Sequence, residues 1–273
     1  MSRSASLQRR EAVAQSLNHD VAIVTGAGRG IGRAIALSLA GEGATVGVFA
    51  RTAEEIAETV ALISGAGGRA LALRADVRDT AAVRAAVSEM ARKFGPVTLL
   101  VNNAGTPGPA GLDWEVDPEE WFECINVIVR GAFILCQAVV PGMIARGSGR
   151  IINVASNSGT RARPPVTATS IAKTALIRFS EGLALQLNEH GVRVFAIHPG
   201  IVRTRLLQSY GLQIPEELFA DPDRAGSLCV RLASGRYDLL SGRFFGIDDD
   251  LDELLNRGSE IAARELYTLR LNV

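Results

Sequence analysis

The sequence predicts one doubly wound α/β domain, a parallel sheet with helices on both faces. From Val21 onward, short apolar runs alternate with longer segments of helical periodicity, the pattern of strands buried on both sides. The chain has 273 residues, 47% hydrophobic and 21% charged, enough to bury a sizeable core. It contains no internal repeat and no low-complexity linker that would mark a second domain. The expected organisation is a tail at 1–19, the α/β domain at 20–249 and a helical extension at 250–273.

The elements follow in order. "VAIVTG" is a strand running into a glycine turn, and the helix after it carries Ile31, Ala34, Ile35 and Leu39 on one face. "ATVGVFA" is the second strand, with Thr52 as the expected N-cap of the next helix and Glu54 and Glu55 in its first turn. "RALALRADV" is the third strand, and Asp79 is placed to cap the helix of Val83, Val87, Met90 and Phe94. "VTLLVNNAG" gives the fourth, followed by a long helix with Asp117 at its cap and Pro118 at its first position. "GRIINVAS" is the fifth, a helix opening at "TATSIAK" ends at Gly191, "VRVFAIHPG" is the sixth, and "GRFFGI" precedes an acidic, helix-forming tail.

Composition excludes several function classes. Lys plus Arg equals Asp plus Glu, 29 each, so the basic footprint of a nucleic-acid binder is missing. Cys124, Cys136 and Cys229 form no CxxC pair, and His19, His190 and His198 are too scattered for a metal site. No apolar run is expected to span a membrane. Residues 1–20 are Ser/Arg-rich without an apolar core, and Glu11 and Asp20 do not suit a transit peptide. The tail reads as short and partly helical, and a cytoplasmic protein acting on small molecules is expected.

Chemistry concentrates in ordered motifs. "TGAGRGIG", Thr25 to Gly32, lies where a glycine turn lets backbone approach a pyrophosphate and a helix N-terminus supplies amide donors. Gly26, Gly30 and Gly32, with "NNAG", a serine, a lysine and a "PG" downstream, make the chain resemble the short-chain dehydrogenase/reductase family over roughly residues 20 to 246. The resemblance implies a seven-stranded Rossmann sheet binding NAD(H) or NADP(H). It implies that Gly26, Arg29, Gly30, Ile31 and Gly32 meet the cofactor phosphates, and that Asp76 and Val77 flank the adenine. Asn103, Ala104 and Gly105 match the segment beside the cofactor, and Asn126 the asparagine that holds a relay water. Ser156 matches the serine bound to the substrate carbonyl, and Lys173 the lysine on the nicotinamide ribose. Pro199, Gly200, Val202 and Thr204 match the carboxamide loop.

An NAD-preferring site places a carboxylate at the end of the second strand for the ribose 2'-hydroxyl. Here that position is Ala50, followed by Arg51 and Thr52, with Arg29 as a second guanidinium suited to a 2'-phosphate. NADP(H) is therefore expected over NAD(H).

The departure is at Thr169. It stands four residues before Lys173 and thirteen after Ser156, where the family carries its proton-transferring tyrosine. Threonine is a far weaker acid and a shorter side chain. Four readings follow. The proton comes from elsewhere (Tyr210, Lys173 or a water between Thr169 and Asn126). Alternatively, the substrate is an iminium or conjugated alkene needing no such acid. The third reading is a cofactor-binding protein without redox activity, and the fourth a substitution in an otherwise ordinary member. Restoring a tyrosine at 169 is expected to raise turnover on a carbonyl by about 10²- to 10⁴-fold.

The segment 205–223 is expected to cover the site, with Leu206, Leu207, Tyr210, Leu212, Ile214, Leu218 and Phe219 forming an apolar inner face for a small hydrophobic substrate. The terminus after "GIDDD" departs from the family's. A homodimer or homotetramer is expected on helices 118–145 and 170–189, through Ile171, Ala175, Leu176, Phe179, Leu183 and Leu187.

Overall fold

The computed structural model describes residues 17–162, 166–211 and 213–271. The expected partly helical tail falls almost wholly on 1–16, and Leu212 within the loop also lies outside the described residues. Seven parallel strands form one sheet: β1 (Val21–Thr25), β2 (Thr45–Ala50), β3 (Arg69–Arg74), β4 (Leu99–Asn102), β5 (Gly149–Val154), β6 (Val192–His198) and β7 (Phe244–Gly246). Their order is β3-β2-β1-β4-β5-β6-β7, so the chain reverses direction across the sheet between β1 and β4. In such sheets ligands bind beyond the carboxyl ends of the strands at that reversal. The turns after β1, β4, β5 and β6 converge there.

Helices cover both faces. On one side α1 (Gly30–Gly41) and α2 (Ala53–Gly65) lie over β1 to β3. On the other, α3 (Thr80–Phe94) packs beside the long run of α4 (Pro118–Ile125), a π-helical turn (Asn126–Arg130) and α5 (Gly131–Arg146). The next long helix, α6 (Thr167–Leu187), shares that face. Short α7 (Arg205–Gln208) begins the loop after β6, and α8 (Asp223–Ala233) returns to pack on α1. Asp79 and Asp117 cap as expected, accepting from Ala81 and Ala82 N and from Glu120 N. Thr52 occupies its cap position in extended conformation but makes no side-chain bond to the helix.

The run Pro118–Arg146 corrects one expectation, because its length and composition would suffice to cross a membrane. Here half of its most apolar stretch is buried within the fold, as in a core helix. The terminus is also specific. Asp249 Oδ2 accepts from Gly246 N at 2.6 Å, and Asp250 caps α9 (Leu251–Asn256), which leads into α10 (Gly258–Ala263). The chain then returns along the outer edge of β7. Phe244 N donates to Tyr267 O at 2.9 Å, and buried Glu181 accepts from Leu269 N at 2.6 Å and pairs with Arg270. A strand edge that would otherwise be open to pairing is thus covered by the extension itself.

Candidate active site

The glycine turn is built by local geometry and tied down from behind. Gly26 (φ 63°) and Gly30 (φ 54°) sit in the left-handed region that favours glycine. A side chain on Gly32 would meet Gly26 O at 2.3 Å and Asn103 Nδ2 at 2.4 Å, so the turn and the segment after β4 touch directly. Asn103 locks them, its amide donating to Thr25 Oγ1 and its Nδ2 to Thr25 O, both at 2.9 Å. Thr59 Oγ1 donates to Ala27 O, and Arg33 to Gly28 O. These bonds take up the loop carbonyls. No side chain caps α1, so its first-turn amides remain available as donors.

The two arginines chosen for a 2'-phosphate are both present beside this turn, and both are paired. Arg29 Nη1 lies 2.8 Å from Glu55, which also binds Arg205 at 3.0 Å. Arg51, at the end of β2, makes only a loose 3.8 Å pair with Asp76. Asp76 is held chiefly by Arg78, whose guanidinium bond keeps the carboxyl below the usual carboxylate range. Arg51 is thus the less committed cation, and Arg29 the one a phosphate must draw from a carboxylate.

Lys173 stands on α6 and Ser156 just after β5. On α6, half-buried Lys173 uses one of its three donors, Nζ to Val154 O at 2.6 Å, and burial pulls the ammonium down to about 8. Ser156, extended after β5, accepts from Ser158 N at 3.1 Å, which fixes its hydroxyl. Val202 and Pro199 are buried, Gly200 has φ 80°, and Thr204 caps α7 by accepting from Leu207 N. Thr204 Cγ2 is 3.3 Å from where Gly30 would carry a side chain, which brings this loop onto the glycine turn.

Asn126 is corrected. It is exposed, opens the π-helical turn, and lines a surface groove with Asp76, Arg78, Asp79, Glu123 and Arg130. The residue that this helix turns toward Gly105 is buried Ile128, packed with Ala155, Ala168 and Ala172. Positions two apart on a helix face nearly opposite ways, so the two cannot both point inward. A water between Thr169 and Asn126 is therefore ruled out as the proton source.

Thr169 has partners that no local pattern announced. Its Oγ1 is 2.6 Å from Tyr210 Oη, and Gly108 N donates to both oxygens, at 3.4 Å and 3.2 Å. Cys124 Sγ lies 3.6 Å from Thr169 Oγ1, with burial pushing its thiol up. Gly108 is buried against Ala168, and any side chain there would occupy this space. Sequence reasoning missed Gly108, Cys124 and Ile128, and no signal marks them, because their roles arise from contacts across the fold.

The loop's apolar face is only partly as expected. Leu206 packs toward Gly105, but Leu218 is exposed. A cavity of about 570 Å³ lies among Arg203, Leu207, Gln208, Gln213, Ile214, Pro215 and Phe219, with Arg203 stacked 4.3 Å over the Phe219 ring. Among the described residues no cluster of His, Cys, Asp or Glu is placed to hold a metal.

Known proteins resemble this chain in sequence and in fold. The model of the short chain dehydrogenase family matches residues 20–214. The short chain dehydrogenase tazN of Aspergillus terreus is 35% identical over 246 residues, 87% of this chain, which spans about half (54%) of that relative's length. Among solved structures, a gluconate 5-dehydrogenase from Burkholderia cenocepacia in complex with NADP and tartrate superposes with a TM-score of 0.80 at 29% identity, covering 89% of this chain and 99% of that one. A 3-oxoacyl-[acyl-carrier protein] reductase from Brucella melitensis with bound NAD gives 0.79 at 30% identity, covering 87% and 92%.

Proposed function

The chain belongs to the short-chain dehydrogenase/reductase family of oxidoreductases, and from that premise we propose that it interconverts a small, hydrophobic carbonyl compound and its alcohol with NADP(H), using an altered proton-transfer group. The observation that carries this reading is the pairing of an uncapped glycine turn with Lys173, whose ammonium at the carboxyl end of the sheet spends, among the described residues, one donor on Val154 O. These residues fit a dinucleotide. Gly30 to Gly32 would hold its phosphates, Asp76 and Val77 the adenine, Lys173 the nicotinamide ribose, and Pro199 to Thr204 the carboxamide. When bound, the reduced nicotinamide supplies two electrons and one hydrogen nucleus to the carbonyl carbon. Ser156 would then hold the carbonyl oxygen, and the Lys173 charge would favour the negative charge that develops nearby.

Arg51 supports NADP(H) over NAD(H). It has no competing carboxylate at Ala50, and its side chain is exposed in a loose pair. NADPH is expected to bind more tightly than NADH by calorimetry, with Arg51→Asp reversing the order. Equal affinities in the unmodified protein would defeat the cofactor assignment.

A homodimer or homotetramer is proposed on a face narrower than the sequence suggested. Leu176 and Leu187 are buried within the subunit and cannot serve. Ile171 and Leu185 on α6 are exposed, as is Phe133 on α5, whose ring lies 6.2 Å from Phe179. Light scattering at micromolar concentration should give a multiple of the 28.9 kDa chain mass. Ile171→Glu should shift it toward monomer, and a monomeric unmodified protein contradicts the proposal.

A further inference from the structure

Thr169 and Lys173 are one helical turn apart on α6 and so face the same side. A threonine there ends well short of where a phenol would reach, and the missing length is supplied by another element. Tyr210 follows α7, in a segment fixed at its start by the Thr204 cap, by the Arg205–Glu55 pair, and by Leu206 against Gly105. From there its hydroxyl comes to 2.6 Å from Thr169 Oγ1 and accepts from Gly108 N at 3.2 Å. The phenol is half-buried, with Cys124 on α4 as the titratable group that acts on it. One hydroxyl and one backbone amide thus converge on one phenolic oxygen, an arrangement that suits a phenolate formed in the reaction.

We propose that Tyr210, delivered by the loop after the sixth strand, is the catalytic acid/base of this site, and that Thr169 is its positioning residue. This rests on the oxidoreductase reading above and deepens it. In the reductive direction, the C=O π pair moves onto oxygen as the carbonyl carbon is reduced. The Tyr210 O–H bond breaks, its proton forms the alcohol O–H, and its electron pair stays on the phenolate. Gly108 N–H and the Thr169 hydroxyl then donate to that oxygen until solvent returns the proton. In the oxidative direction the same oxygen takes the alcohol proton. Burial pushes the Tyr210 phenol up before cofactor binds, so it holds its proton ready as an acid, while a cationic oxidised nicotinamide would lower it.

The test compares Tyr210→Phe and Thr169→Val with the natural protein. Tyr210→Phe keeps the ring, so NADPH affinity by calorimetry should be unchanged while kcat falls by about 10²- to 10⁴-fold. A second readout needs no turnover. The chain has 3 tyrosines, so ring-labelled tyrosine NMR resolves Tyr210 as the signal that Tyr210→Phe removes. Its titration should move downward on adding NADP⁺ and upward in Thr169→Val, which removes a donor to the phenolate. A Tyr210 signal that titrates like free tyrosine and ignores both changes overturns the proposal, as does unchanged kcat in Tyr210→Phe. Failure of the natural protein to bind either dinucleotide would instead overturn the oxidoreductase reading itself.

Discussion

Lys173→Met is expected to abolish most turnover while making the cofactor-free protein more stable at neutral pH. The two effects have one cause. Burial holds the Lys173 ammonium at about 8, well under its ordinary 10.5, so the folded state bears a desolvation cost for keeping this charge. The unfolded chain binds the proton more readily than the folded one between those two values. Stability therefore rises with pH across about 8 to 10.5 and, below 8, carries the full penalty, on the order of 2–3 kcal/mol. Methionine removes that penalty but leaves Val154 O without its donor, which returns about 1 kcal/mol. Urea unfolding should thus favour Lys173→Met by about 1–2 kcal/mol at pH 7, with the advantage fading toward pH 10. Turnover should fall by roughly 10²-fold or more, because the charge beside the reacting oxygen is lost. A variant less stable than the natural protein at pH 7 would mean that the ammonium is well solvated or better bonded than its single contact implies.

The fold was legible because its signals are local and repeated. Each strand was announced by its apolar run and each early helix by its period, and Asp79 and Asp117 cap where the pattern placed them. The glycine turn was legible for the same reason, since Gly26 and Gly30 adopt conformations that few other residues tolerate. Asn126 failed because its reading depended on which way one helix position faces, and the π-helical turn from Asn126 to Arg130 makes that angle hard to infer from spacing. Gly108, Cys124 and Ile128 could not be read at all. The Thr169 site joins Gly108 and Tyr210 across 61 and 41 residues of chain, and nothing local records such contacts. Tyr210 was named only as a loop residue and one possible proton source, and its approach to Thr169 depends on the path of the whole segment after β6.

That approach changes what a tyrosine at position 169 should do. From the sequence alone, Thr169→Tyr replaces a missing acid and should raise turnover steeply. In the structure the Tyr210 hydroxyl already stands 2.6 Å from Thr169 Oγ1, with Gly108 N bonded to both. A second ring entering there must displace the first, and packing a larger side chain into filled space typically costs about 1–3 kcal/mol. Thr169→Tyr in the natural background is therefore expected to change kcat by less than about tenfold, since one positioned phenol replaces another. In the Tyr210→Phe background the same substitution should raise kcat by about 10²- to 10⁴-fold, with KM little affected, because the proton moves only as the carbonyl is reduced. This dependence on background is the signature of two residues serving one role, and a double-mutant cycle measures it directly. A large gain from Thr169→Tyr with Tyr210 intact would show that the loop phenol does not transfer the proton. No gain in either background, with turnover intact in Tyr210→Phe, would mean that the substrate needs no phenolic acid, as an iminium or a conjugated alkene would not.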